Sequence, residues 1–478
     1  MRLKFYSIGA YAALLVAAAG LFYFITSAGE SLVAAAPAGP IRFGATTVRQ
    51  SGGVLMHVLL ALVVIILSAR ALGSLFRRIH QPQVIGEMIA GILLGPSFLG
   101  HFAPAASAYI LPSEIATYLS VIAQIGVILY MFLVGVELDT DLLRRRSHAS
   151  VAISHASIVA PFLLGALLAL WLYPQLATQD VPFTLFALFM GVAMSITAFP
   201  VLARILTDRR VHKTRMGTIA LGCAAVDDVT AWCLFAFVVS VARAHGGRVL
   251  VTLGMTVAFI AFVLLLVRPA ADWFIERQTR LGAVTSQSTI VIVCAALLMA
   301  ALATDRIGIH ALFGAFLMGT VIPHNSPLAR DISQKFEDLV VVLLLPAFFA
   351  FTGMRTQIGL LNKWHDWVLC LAIIAVASLG KFGGAFVAAR ISGLGWRDSG
   401  ALGILMNTRG LMELIVLNVG LDLHVISPTL FGMLVLMAIT TTLATTPVLH
   451  ALTRTPELVP SAEDYAREDE NIRAMNAE

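Results

Sequence analysis

Fourteen stretches of the chain stay apolar for about the 20 residues that a helix needs to cross a bilayer. In chain order they fall at 8–26 (a), 53–69 (b), 82–99 (c), 116–136 (d), 150–173 (e), 182–206 (f), 216–242 (g), 249–267 (h), 287–303 (i), 308–323 (j), 337–354 (k), 367–389 (l), 399–420 (m) and 429–449 (n). The pattern predicts an all-α polytopic membrane protein, since a helix in lipid satisfies its own backbone. Segments b to n form a thirteen-helix core over 53–450, preceded by residues 1–52 and followed by a short polar tail, 451–478. Segment a has a basic start, a long apolar stretch and small residues near Ala28. It reads either as a retained first helix or as a signal peptide, with an external segment after it. Both readings give b to n the same topology.

Charge between the segments orients them. With the N-terminus inside, the cytoplasmic loops carry twenty Lys and Arg and the external loops seven. Arg70, Arg77 and Arg78, Arg144 to Arg146, and Arg209, Arg210, Lys213 and Arg215 are the inner clusters, while Arg42, Arg49, Arg243, Arg248, Arg306, Arg355 and Lys363 lie outside. This bias places the C-terminus in the cytoplasm, most simply at a bacterial inner membrane.

Composition agrees. Of 478 residues 59% are hydrophobic and 12% charged, against about a quarter charged in soluble domains. The net charge of +5 is loop bias and not a nucleic-acid surface. Cys223, Cys233, Cys294 and Cys370 lie in apolar segments without metal or disulfide spacing. No phosphate loop, metal cluster or nucleophile set is visible, so neither cofactor nor enzymatic activity is expected.

An internal echo runs through the core. Segment c, "GEMIAGILLGPSFLG", resembles j, "GIHALFGAFLMGTVIP", and the end of d, "YMFLVGVELDTD", resembles the end of k, "AFFAFTGMRTQ". Partners seven segments apart cross the membrane in opposite senses, which predicts an inverted-topology repeat. Such repeats place a site on discontinuous helices at mid-membrane. Segment f holds "MSITAFPVLARIL", where Pro200 breaks the helix and Ser195 and Thr197 offer hydroxyls. Its counterpart m holds "GILMNTRGLMEL", with Asn407, Thr408, Arg409 and Gly410 in mid-span and Glu413 one turn after Arg409. An Arg409–Glu413 pair is either a local intrahelical bond or part of the ion path.

Segment g carries Asp227 and Asp228 in "GCAAVDDVTAW". Charge at that depth is expensive and faces a cavity or a partner. Neighbouring helical residues point about 100° apart, so the two acids look in different directions. Lys381 in "VASLGKFGGAF" lies equally deep, and Gly380, Gly383 and Gly384 permit close helix approach. One aspartate is expected to pair with Lys381 while the other stays open to cations and water. Desolvation favours a protonated carboxyl, and a hard cation prefers oxygen ligands. One pocket can therefore hold a proton or a monovalent cation in turn.

At these residues the chain resembles the monovalent cation:proton antiporter-2 family, near its bacterial and plant cation/proton exchanger branch. "GEMIAGILLGPSFLG", "FLVGVELD", "SITAFPVLARIL", "AAVDDVTAW", "LFGAFLMG", "MNTRGLMELIVLNVGLD" and "TTTLATTP" carry the likeness. The resemblance implies a homodimer, with a dimerisation domain and a six-helix transport domain that moves like an elevator, and crossed, unwound helices at f and m. It makes Asp228 the principal cation- and proton-binding carboxylate, Asp227 the acid paired with Lys381, and Ser195 and Thr197 contributors of hydroxyls and carbonyls. Asp-Asp, where many electroneutral relatives carry Asn-Asp, resembles the electrogenic pattern of two protons per cation. The tail has no GxGxxG, so gating by a fused nucleotide domain is not expected. The function expected is sodium or potassium/proton antiport. The alternatives are a sodium-coupled anion symporter, which Arg409 would suit, and a cation channel or non-transporting sensor on the same scaffold.

Overall fold

A computed structural model describes residues 2–30, 32, 53–138, 148–178, 181–209, 211, 214–243, 249–280, 287–324 and 326–452. Residues 33–52, Arg144 to Arg146 and the tail from 453 lie outside the described residues. Every regular element described is helical: α1 Arg2–Gly29, α2 Val54–Arg78, α3 Gln83–Leu94, α4 Ala116–Glu137, α5 His148–Leu176, α6 Phe183–Ser195, α7 Phe199–Asp208 and α8 Arg215–Arg243. They are followed by α9 Gly254–Arg277, α10 Gln287–Ile307, α11 Ala311–Gly319, α12 Pro327–Leu360, α13 Trp364–Ile391, α14 Trp396–Met406, α15 Leu411–Asp422 and α16 Pro428–Leu452.

Among the described residues eleven stretches are long and apolar enough to span a bilayer, with Gln83–Phe102 and Phe183–Thr207 (α6 and α7) each counted once, or twelve when α14 and α15, bent by 41°, count as one. The sequence expects thirteen over this stretch. The difference lies at 308–323, where only the nine residues of α11 are helical. Such a helix rises about 14 Å, less than half of the hydrocarbon thickness. Gly308, at φ +101°, and Pro323 bound it. Apolar composition gave the run its apparent length, but the backbone at its ends is not helical.

Apart from α9, which packs against both α8 and α10, the helices sort into two packing groups. One contains α2, α3, α4, α10, α11 and α12; the other contains α5 to α8 and α13 to α16. Helix α1 joins the second group, with the Phe22 and Phe162 rings 5.4 Å apart. In the first group α3 crosses α12 and α11 crosses α4, in both cases glycine to glycine. A Cβ on Gly353 would lie 2.0 Å from the Gly91 carbonyl carbon, and one on Gly319 would lie 2.2 Å from the Phe132 carbonyl oxygen. The segments paired in sequence, c with j and d with k, thus hold reciprocal places.

In the second group α13 packs along α5. A Cβ on Gly380 would meet Pro161 Cα at 2.7 Å and one on Gly384 would meet the Ala156 oxygen at 2.6 Å. These two glycines lie four apart on one face, so the backbones approach closely. Gly383 faces open space and plays no part in the contact. The approach carries Lys381, between the two glycines in sequence, toward the polar edge of α5.

Candidate functional site

Segment f is two helices. Ser195 ends α6, Phe199 begins α7, and the backbone between them is extended at Ile196 and Ala198. Pro200 sits in the first turn of α7, where a missing N–H has no intrahelical partner to lose. It starts the second half-helix, consistent with the break expected there. Segment m is also two helices, with Asn407, Thr408, Arg409 and Gly410 between α14 and α15.

The two breaks satisfy each other. The Ala198 amide donates to the Thr408 carbonyl at 2.9 Å, and Thr197 Oγ1 lies 3.1 Å from the Met406 carbonyl. Groups that helix ends leave unpaired therefore find partners across the crossing, as a low-dielectric interior requires. The Thr408 hydroxyl folds back to the Leu405 carbonyl at 2.5 Å, so Thr408 contributes through its backbone.

Cations cover the C-terminal end of α6. Arg409 donates from one guanidinium nitrogen to the Ala193 carbonyl (2.7 Å) and to Glu413 (3.0 Å), and from the other to the Met194 carbonyl (2.8 Å). Lys381 donates to the Ser195 carbonyl at 2.5 Å. Positive charge at a helix C-terminus complements the helix dipole. The Arg409–Glu413 bond is intrahelical in spacing, yet Arg409 also ties the two breaks together. Thr442 of α16 accepts from the Arg409 amide at 2.9 Å. The Ser195 hydroxyl turns back to the Gly191 carbonyl at 2.6 Å, so Ser195 reaches the site through its carbonyl alone.

Near the middle of α8, Asp227 and Asp228 are 0% and 2% exposed. Their surroundings differ. Asp227 Oδ1 accepts from Ser154 at 2.5 Å, and Oδ2 accepts from Ser157 at 2.9 Å, Thr197 at 2.8 Å and Lys381 at 2.9 Å. Asp228 faces the Phe199 backbone amide at the start of α7, the positive end of that half-helix. Its Oδ1 has no hydrogen-bond partner, and neither does Asn407 Oδ1 in the facing break. Lys381 therefore pairs with Asp227, and Asp228 keeps an oxygen uncommitted.

The structure brings Asp227, Asp228, Thr197, Ser195, Lys381, Asn407, Thr408, Arg409 and Glu413 to one crossing, all of them buried. Ser154 and Ser157 were missed. They lie three apart on α5 and so share a face, but serines in an apolar span usually bond their own helix, which leaves little signal. No group of three metal-ligating side chains occurs among the described residues. A cavity of about 550 Å³ lies between the packing groups, lined by residues including Arg243, Asp305, His310, Asn418 and Asp422. The acidic pair is not in its lining, and both acids are buried.

Comparison with known proteins places this geometry among transporters. The transmembrane sodium/hydrogen exchanger family matches residues 53–454. The chain is 44% identical over 398 residues to the Na(+)/H(+) antiporter NhaS4 of Synechocystis sp., covering 83% of this chain and 97% of that protein. It is 38% identical to cation/H(+) antiporter 18 of Arabidopsis thaliana, over 82% of this chain and 48% of that one. It is 33% identical to K(+)/H(+) antiporter 1 of Saccharomyces cerevisiae, over 78% and 44%. The chain thus spans about half of the plant and yeast relatives. In fold it is similar to the sodium proton antiporter MjNhaP1 from Methanocaldococcus jannaschii, with a TM-score of 0.59 at 14% identity, over 83% of this chain and 98% of that one.

Proposed function

Since the chain belongs to the sodium/hydrogen exchanger family, we propose that it exchanges sodium or potassium for protons by alternating access, at a carboxylate site centred on Asp228. It is a multi-pass membrane protein whose relatives are cation/proton antiporters. One observation carries the reading. Of two adjacent buried acids, one is fully engaged and the other retains an oxygen with no partner. Asp228 is the group left to take a proton or a cation. Thr197, the Ser195 carbonyl, Asn407 and Thr408 shape the pocket, and Pro200 starts the half-helix whose first amide faces Asp228.

The two packing groups fit a scaffold and a moving unit. The reciprocal glycine crossings fit an inverted repeat. We place the protein in a bacterial inner membrane with the C-terminus cytoplasmic, following the loop charge, and as a homodimer, following the family resemblance. The occluded acids are one station of the cycle, and movement of α5 to α8 and α13 to α16 past the other group would expose them to either side. An anion symporter loses its main support: both terminal nitrogens of Arg409 are engaged, by Ala193, Met194 and Glu413, and its charge is already paired with Glu413.

A cation panel in everted vesicles tests the reading. Sodium or potassium, but not choline, is expected to dissipate a respiration-driven proton gradient reported by a pH dye. No response to any alkali cation between pH 6.5 and 9 (roughly the window of carboxylate–cation competition in a desolvated site) would overturn it.

A further inference from the structure

Two neighbouring carboxylates invite a cycle in which both give up protons before a cation enters. The surroundings of Asp227 point elsewhere. A carboxylate offers about four lone-pair sites on two oxygens. Asp227 meets four donors, from Ser154, Ser157, Thr197 and Lys381. These come from three separate places, α5, the break in f and α13, so no single local shift removes them. A proton on Asp227 would convert an acceptor into a donor that faces other donors.

Two of the hydroxyls have an alternative acceptor. Ser157 Oγ also lies 2.8 Å from the Ser154 carbonyl, and Thr197 Oγ1 lies 3.1 Å from the Met406 carbonyl. Each hydroxyl has one hydrogen to give. An ionised carboxylate is the stronger acceptor, so both hydrogens turn to Asp227 while it is an anion. The arrangement is built around a charged Asp227.

We infer that Ser154 and Ser157 are positioning residues that keep Asp227 anionic and joined to Lys381 throughout the cycle, so that one proton exchanges for one cation with no net charge moved. This rests on the exchange reading above and runs against the Asp-Asp pattern. The bookkeeping is direct. With Asp228 protonated, Asp227, Lys381 and Asp228 sum to zero. With Asp228 ionised and a monovalent cation on it, the sum is again zero. The loaded unit carries the same charge in both directions, and membrane potential does no work on either crossing. A two-proton cycle needs Asp227 or Lys381 to change charge in one direction.

The full chain in proteoliposomes provides the test. An entrapped pH dye reports proton flux after a sodium or potassium jump, and solid-supported-membrane electrometry reports charge on the same preparation. The expected result is proton flux without a steady current. A current that scales with the flux would overturn the inference. Absence of flux with both cations would overturn the exchange reading, and this inference with it. The Ser154→Ala/Ser157→Ala variant is expected to gain a current for each proton moved, and Ser154→Thr/Ser157→Thr, which restores the hydroxyls, to lose it again. Variants that exchange protons as silently as the parent would show that the serines do not set the stoichiometry.

Discussion

Asp228→Asn is expected to abolish cation-driven proton movement in vesicles, down to the level of vesicles without the protein, and to leave the fold intact. Asparagine keeps the volume and still places an acceptor oxygen toward the Phe199 amide that Asp228 faces. It loses the charge and the exchangeable proton. A buried ionisable group is expensive unless it is compensated, and Asp228 Oδ1 has no partner. Detergent melts of the variant should therefore match or exceed the parent. Retained exchange would remove Asp228 from the centre of the mechanism. Lost exchange with a collapsed melting temperature would mean that the acid is structural.

The second large effect is expected at Lys381. Its ammonium bridges Asp227 and the Ser195 carbonyl, and both side chains of the ion pair are fully buried. Lys381→Ala leaves an uncompensated buried charge, which costs about 3–5 kcal/mol when such a pair is broken. The variant should melt well below the parent. Combining it with Asp227→Asn should recover much of the loss, because the double variant buries no net charge there. The non-additivity of the two changes measures the coupling. An unchanged melting temperature for Lys381→Ala would contradict the pairing.

Different physics made different parts of this site legible. Charges in an apolar run stand out because lipid tolerates them so poorly, so Asp227, Asp228, Lys381 and Arg409 were visible without a structure. The breaks were visible because Pro200 and the Asn407–Gly410 run interrupt spans that are otherwise uniform. What each residue touches was not visible. Arg409 read as a partner for Glu413, and its grip on two carbonyls of α6 depends on how two half-helices cross. The hydroxyl clamp on Asp227 was hidden because Ser154 and Ser157 look like any serines that bond their own helix. The shortness of α11 was hidden as well, since an apolar run marks burial and not where the backbone stops being helical.

These residues also explain why the acids are adjacent. Side by side on α8, they point toward different neighbours: Asp227 toward α5 and α13, Asp228 toward the start of α7. In the proposed cycle one anchors the crossing while the other is loaded and unloaded. A single acid would have to leave its anchor to bind its cargo.

In the proposed cycle proton and cation contest the same carboxylate. This competition is tested most directly by titrating the purified protein with sodium or potassium chloride in weakly buffered detergent solution and measuring the protons released. Competition at Asp228 predicts about one proton released per cation bound when the titration starts at a pH where the carboxyl is protonated, and none from Asp228→Asn. Saturable cation binding with no proton release would contradict the account.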